Sequence, residues 1–517
     1  MLTRRQLLLA AGSGALVAGC GESEHRDDRQ LDAAPVVDLV VFGATPAGIA
    51  AAVQMRRLGG SVVLLEPSQH VGGMTTSGLG ASDVGNDAAI GGIAKEFYGR
   101  VGGFRFAPHQ ASQAFAALLG GQQIKVVRGA QLGSVHKQND RILALVTTDG
   151  TPYAGRMFVD ASYEGDLMAA AGVSFTLGRE GNAHYQETLN GVQHRDGHQF
   201  DRRVDPYVRP GDPASGLLPG ISDAKLAPNG TADASVQAYN FRMCLTQAAD
   251  RIRFSKPDGY DPLRYELLAR YLQAGNRGPF FTTVSMGGGK TDTNNKGAFS
   301  TDFIGGSQDY PTAGPAERER IVAEHRSYQQ GFFWFLANDP RVPASVRSDV
   351  SSWGLAADEF TSTGGWPPQL YVREARRMTS AYVMTEHNCR GSVHASDSIG
   401  LASYAMDSHN CRRLVVDGAV TNEGNVQAPV TTPYPVSYRS IVPRSGECAN
   451  LLVPVALSAS HIAYGSIRME PVFMILGQSA ATAAHLAITT RHSVQHVSVT
   501  ALQHQLRADG QYLRWPR

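Results

Sequence analysis

One stretch near the N-terminus constrains this chain more than any other. Residues 36–42 form a short apolar run, and Gly43-Ala44-Thr45-Pro46-Ala47-Gly48 follows at once. Ile49, Ala52, Val53 and Leu58 then recur at helical spacing up to Gly59-Gly60, and residues 61–65 are a second apolar run closed by Glu66. The pattern predicts strand, glycine turn, helix and strand, with an acid at the end. Gly43 permits the tight turn, and Gly48 lets helix and strand pack closely. The helix N-terminus, with Pro46 and Ala47 in its first turn, offers N–H groups and partial positive charge to a pyrophosphate. A carboxylate at Glu66 accepts from ribose hydroxyls and disfavours a 2′-phosphate, so the unit predicts a Rossmann-type dinucleotide site that is not built for NADP. One position departs from the usual G-x-G-x-x-G: its middle glycine is Thr45, which adds bulk near the phosphates.

The continuation Glu66-Pro67-Ser68-Gln69-His70-Val71-Gly72-Gly73-Met74 resembles the second loop of FAD enzymes with a glutathione-reductase-like fold, where a Gly-Gly lets backbone lie against the cofactor. Phe158-Val159-Asp160-Ala161-Ser162-Tyr163-Glu164-Gly165-Asp166 resembles the segment by which such enzymes return to the flavin domain. Residues 450–455 read as a buried strand. A helix is expected from Pro471 to about Ala487, with a small-residue face of Gly477, Ala480, Ala481 and Ala484. Together these stretches, most specifically 158–172, 290–302 and 451–481, resemble a bacterial family of FAD-dependent oxidoreductases, xanthan-lyase-related in its usual description. The resemblance implies FAD as cofactor; it names no substrate, and a lyase activity is not carried over from it. It implies cofactor contacts from the turn 43–48, Glu66, Gly72, Gly73, Met74, Leu132, Asp160, Gly165 and Asp166, and from Ser466, Ile467 and Met469 before the C-terminal helix.

Alternating residues between Leu132 and Gly155 predict an antiparallel meander leading back to the sheet. Residues 181–395 differ in composition and read as an α+β substrate or cap domain inserted into an FAD domain made of 36–180 and 396–490, with 491–517 as a C-terminal tail. The fold class is thus α/β, with a discontinuous FAD domain. Gly287-Gly288-Gly289-Lys290-Thr291 is not a phosphate loop, because Val284 stands where its first glycine is required. The polar stretch 290–302 either lines a substrate cleft or is a self-bonded turn. Arg373, Arg376 and Arg377 either hold an anion or form surface ion pairs. Oxidation of an alcohol or amine needs a base for the heteroatom proton, and histidine suits that role. His461, expected in the loop before the helix, and His409 are the candidates, each with a structural alternative, and Arg468 would offset charge on reduced flavin.

The first residues read as an address. Arg4-Arg5 precedes an apolar run, residues 7–19, too short to span a bilayer, and Val17-Ala18-Gly19-Cys20 resembles a lipoprotein signal with Cys20 lipidated. The paired arginines resemble a twin-arginine signal, and the alternative is a plain secretory signal. Residues 21–35 read as a tether. The expected location is therefore the periplasmic or cell-surface side of a bacterial membrane, held through lipid alone. A net charge of +1 over 517 residues argues against a nucleic-acid partner. Cys244, Cys389, Cys411 and Cys448 form no Cys-x-x-Cys pair, so no metal centre is expected, while disulfides stay open. The expected activity is FAD-dependent oxidation of a small alcohol, sugar or amine, with the electron acceptor unassigned. The alternatives are a flavin-dependent reductase or desaturase, or a non-catalytic surface lipoprotein.

Overall fold

The computed structural model describes residues 34–516. Strand β1 (Val37–Phe42) is buried on both faces from Leu39 onward, the mark of a central strand in a covered parallel sheet. Helix α1 (Pro46–Arg57) follows it, then β2 (Val62–Glu66), β3 (Val126–Arg128), β4 (Leu132–Gln138), β5 (Arg141–Thr147) and β6 (Pro152–Asp160). The sheet order is β3-β2-β1-β6-β5-β4, and Leu451–Leu452 pairs with the end of β6. The β1, β2, β3 and β6 pairings are parallel, whereas β4, β5 and β6 form the antiparallel meander that the alternation requires. This is a Rossmann-type α/β sheet, with the glycine turn at the C-terminal end of β1.

The helix Glu470–Thr490 lies against α1. Its small-residue face explains the contact: a Cβ on Gly477 would stand 2.1 Å from the Ala47 carbonyl oxygen. The helix is long and apolar enough to cross a membrane, yet 78% of its apolar window is buried within the protein, as a core helix must be. Residues 491–516 follow it. They carry the helix Val499–Ala508, whose Leu502 and Leu506 are buried in the main core.

The inserted region is α+β. Its antiparallel sheet runs Gly354–Leu355, Met243–Thr246, Lys290–Thr293, Val284–Gly287, beside helices Glu266–Gln273, Pro315–Asn338 and Ala344–Ser352. Three expectations change here. Lys290–Thr293 is a buried strand rather than a loop, because its polar atoms find partners across the fold: Lys290 on Asp358 and Glu359, and Asp292 on Arg242. Arg373 and Arg377 are buried, so their ion pairs are not on the surface. The hairpin of Arg412–Val416 with Ala419–Glu423 packs on the inserted region, through Val420 N to Val204 O at 3.1 Å and Ser222 N to Arg413 O at 2.9 Å. All four described cysteines are free and buried, which leaves the question of disulfides closed among the described residues.

Candidate functional site

The end of β1 is shaped by what has no room to be there. Gly43 has φ +98°, and a Cβ on it would meet the Ser162 nitrogen at 2.8 Å. A Cβ on Gly48 would stand 1.9 Å from the Gly43 oxygen, so turn and helix touch through backbone alone. Thr45 caps α1: its Oγ1 accepts from Gly48 N at 3.3 Å and donates to the Ala161 carbonyl at 2.8 Å. Glu66 accepts from Ala44 N at 2.8 Å and from Ser68 N and Oγ at 2.9 and 2.6 Å, and burial pushes its carboxyl up. These use three of a carboxylate's roughly four acceptor positions. A cavity of about 200 Å³ lies against Gly43, Thr45, Glu66, Gly73 and Ser162. It is smaller than most small-molecule sites, about 300–1,000 Å³, with Tyr310, Pro368, Gln369, Leu370 and Val372 lining it from the inserted side and Tyr163 from the sheet side.

Leu370 and Val372 line that cavity, and Tyr371 between them belongs to a buried polar circuit. Arg242, Arg373 and Arg468 surround its ring, with guanidinium carbons 5.9, 4.8 and 5.8 Å from the centroid. Arg468 donates to Tyr371 Oη at 2.9 Å and pairs with Asp407 at 3.0 Å. Arg373 pairs with Asp302 at 3.0 Å. His409 closes the circuit, Nδ1 to Asp302 at 2.7 Å and Nε2 to Asp407 at 3.2 Å. Burial alone would raise Asp407; the His409 ring and Arg468 outweigh it and hold the carboxyl well below the usual range. Arg373 and Arg468 each keep a buried Nε without a hydrogen-bond acceptor among the described residues.

A second histidine sits nearby in a different state. His461 opens the helix His461–Ile467 rather than lying in a loop, because Ser460 caps that helix through Ala463 N. Its Nδ1 meets Glu374 Oε2 at 2.8 Å and its Nε2 meets Ser408 Oγ at 3.0 Å. The spacing is that of a serine–histidine–acid relay. Ser408, however, is fully buried and donates to the Gly424 carbonyl at 3.0 Å, so no acyl group can approach it. Glu470 begins the long helix, accepting from Tyr163 Oη at 2.8 Å and Thr75 Oγ1 at 3.1 Å, and burial pushes it up to about 7.

The sequence profile of the FAD dependent oxidoreductase family matches residues 38–506. The chain belongs to that family. FAD is its cofactor. No curated protein matches the chain. Solved structures overlap in part. A mutant flavin monooxygenase from Stenotrophomonas maltophilia is 20% identical at TM-score 0.20, over 28% of this chain and 42% of that one. Thioredoxin reductase from T. acidophilum is 21% identical at TM-score 0.19, over 29% and 40%. The chain thus spans about two fifths of the length of each, and overlaps this loose bear on neither mechanism nor substrate.

The residues present fit FAD at the glycine turn, where Gly43 and Gly48 leave no side chain in the way, Pro46 and Ala47 begin α1, and Glu66 ends β2. Gly73 adds a second close approach: a Cβ there would meet Tyr163 Oη at 2.3 Å and Pro46 Cδ at 2.9 Å. Met74 N donates to the same hydroxyl, and Gly72 N to the Ala44 carbonyl, which ties this loop to the turn. Other expected positions lie apart. Asp160 spends its carboxylate on Ser162 and on Met168 N, holding the turn after β6, with Gly165 as cap of the short helix Asp166–Ala170. Asp166 is paired with Arg318 and Arg376. Leu132 packs beside Leu65 and Ala130 in the smaller apolar cluster. Ser466 and Ile467 are buried in helix His461–Ile467, Ser466 against Tyr434 and Tyr404, and Met469 caps the long helix. Sequence reasoning missed Tyr163, Tyr371, Arg242 and Asp407. Glu470, Arg468, Asp292 and again Arg468, which respectively bond Tyr163, Tyr371, Arg242 and Asp407, lie 50 or more residues away. Cys20 lies outside the described residues.

Proposed function

We propose that this oxidoreductase oxidises a small alcohol, sugar or amine, and that the reaction takes place at the His409 circuit. FAD, when bound, supplies the acceptor for a hydride. The observation that carries the reading is the histidine held between Asp302 and Asp407, beside arginines with unspent donors, one of which bonds Tyr371 between two residues of the nucleotide cavity's wall. Asp302, at 2.7 Å, accepts from Nδ1 and fixes the ring; Nε2 donates to Asp407 at 3.2 Å, the looser contact. Nε2 acts as base once that hydrogen has gone to solvent and a substrate heteroatom stands in the place of Asp407, passing its own proton to the freed Nε2. Arg373 and Arg468 bring positive charge to the same point. His461 has both nitrogens engaged in the interior and is a positioning residue.

The address is part of the same proposal. Residues 1–20 direct export and lipidation at Cys20, and the folded, FAD-loaded protein stands outside the cytoplasm on a lipid anchor. Anaerobic mixing of the FAD-loaded protein with a panel of alcohols, sugars and amines tests the substrate class. Bleaching of the flavin band by at least one member is expected. Bleaching by NADH or NADPH alone would instead establish the reductase reading.

A further inference from the structure

A second cavity, of about 570 Å³, lies in the inserted region and shares no lining residue with the nucleotide cavity. Its volume is within the usual range for a small organic ligand. Aromatic and aliphatic side chains wall it, among them Phe299, Phe303, Tyr328 and Ile304. Four arginines line it against two carboxylates, Asp309 and Glu324. Two of the four are satisfied by protein: Arg412 by Asp233 and Glu423, and Arg320 by Glu317 and Glu324. Arg264 and Arg413 form no ion pair among the described residues; Arg264 lies over the Phe303 ring and Arg413 over Phe299.

Arg413 is the anomaly. Six arginines are buried in this protein's described residues, and Arg179, Arg242, Arg373, Arg377 and Arg468 each sit on a carboxylate. Arg413, 3% exposed, has instead only neutral partners, the Ala298 carbonyl at 3.2 Å and the Tyr328 hydroxyl, and a buried Nε without an acceptor. Burial holds its guanidinium below the ordinary arginine value, and neither Tyr328 nor the more distant charge of Asp302 makes up the lost hydration. An uncompensated buried charge costs stability unless something pairs with it.

We propose that this cavity is a binding site for an organic anion with a flat apolar body, its carboxylate on Arg413 and Arg264 and its ring among Phe299, Phe303 and Tyr328. The site is separate from the flavin chemistry, and its failure would leave that reading untouched. Calorimetric titration of the FAD-loaded protein with 2-naphthoate, against the neutral 2-naphthamide, tests it. One equivalent of 2-naphthoate is expected to bind at least about tenfold tighter than the amide, as a charge-assisted contact implies. Arg413→Met should weaken 2-naphthoate by a similar factor and leave 2-naphthamide unchanged. Should that variant not fold, the half-buried Arg264→Met decides, with the same loss confined to the anion. Absence of 2-naphthoate binding, equal affinity for the two compounds, or an unchanged 2-naphthoate affinity in folded Arg264→Met and Arg413→Met would overturn the proposal.

Discussion

Thr45 shows at the residue scale how a departure from a motif is absorbed. Its hydroxyl turns back to cap α1 and to bond the Ala161 carbonyl, so the extra bulk serves the helix end. The place of Glu66 at the end of its strand was legible from sequence, because the strand's apolar run and the acid that closes it are local. Glu66→Ala should therefore weaken FAD binding by about 1–3 kcal/mol, roughly five- to 150-fold, through unpaired ribose hydroxyls and a loosened turn. Flavin-fluorescence titration measures it, and an unchanged affinity would remove the ribose assignment. Arg242 with Asp292, or His409 with Asp302, was not legible, because the partners lie 50 and 107 residues apart with no motif joining them. Glu470 yields a pH prediction. Its carboxyl is raised by burial from 4.5 to about 7, so its contribution to stability is full below about 4.5 and is lost as pH rises through about 7. Glu470→Gln should therefore gain on the wild type between those values, by up to about 3 kcal/mol. Parallel melting-temperature profiles across pH 4.5–8 would show that the group is not held protonated.

Among the elements, periodicity located β1, α1, β2 and the meander, since each has one buried pattern and short connections. The small-residue face of Glu470–Thr490 was also readable, though the helix begins one residue earlier and ends three later than 471–487. What pattern did not disclose was the role of Lys290–Thr293: a polar run becomes a central strand only because distant Arg242, Asp358 and Glu359 neutralise it. Close helix contact makes a sharp prediction. Gly477→Ala places a methyl 2.1 Å from the Ala47 oxygen and should cost at least about 1–3 kcal/mol by forcing the two helices apart. Gly99→Ala, in a helix with open space around it, should gain roughly 0.5–1 kcal/mol. Denaturant unfolding of the two variants reads both signs, and similar midpoints would show that α1 and the C-terminal helix are not in tight register.

The whole molecule is a Rossmann-type FAD sheet whose two segments enclose an α+β insertion, with the polar circuit assembled from both: Asp302, Tyr371 and Arg373 from the insertion, Asp407, His409 and Arg468 from the later segment. The nucleotide-binding sheet was legible because the glycine turn and its flanking strands are local signals. The hairpin around Arg413 was assigned to the FAD part because nothing in its own residues shows that Val204 and Ser222 bind it. At this scale the anchor is also testable: Cys20→Ser should release the protein from membranes, and a variant that still sediments with them would end the lipid-anchor proposal. The central claim is that His409 takes the substrate's proton. Its most direct test is anaerobic stopped-flow reduction of the FAD-loaded protein by a substrate from the panel, wild type against His409→Gln. Flavin reduction slowed by about 10²–10⁴ at unchanged FAD occupancy is the predicted result; an equal rate in the variant would contradict it.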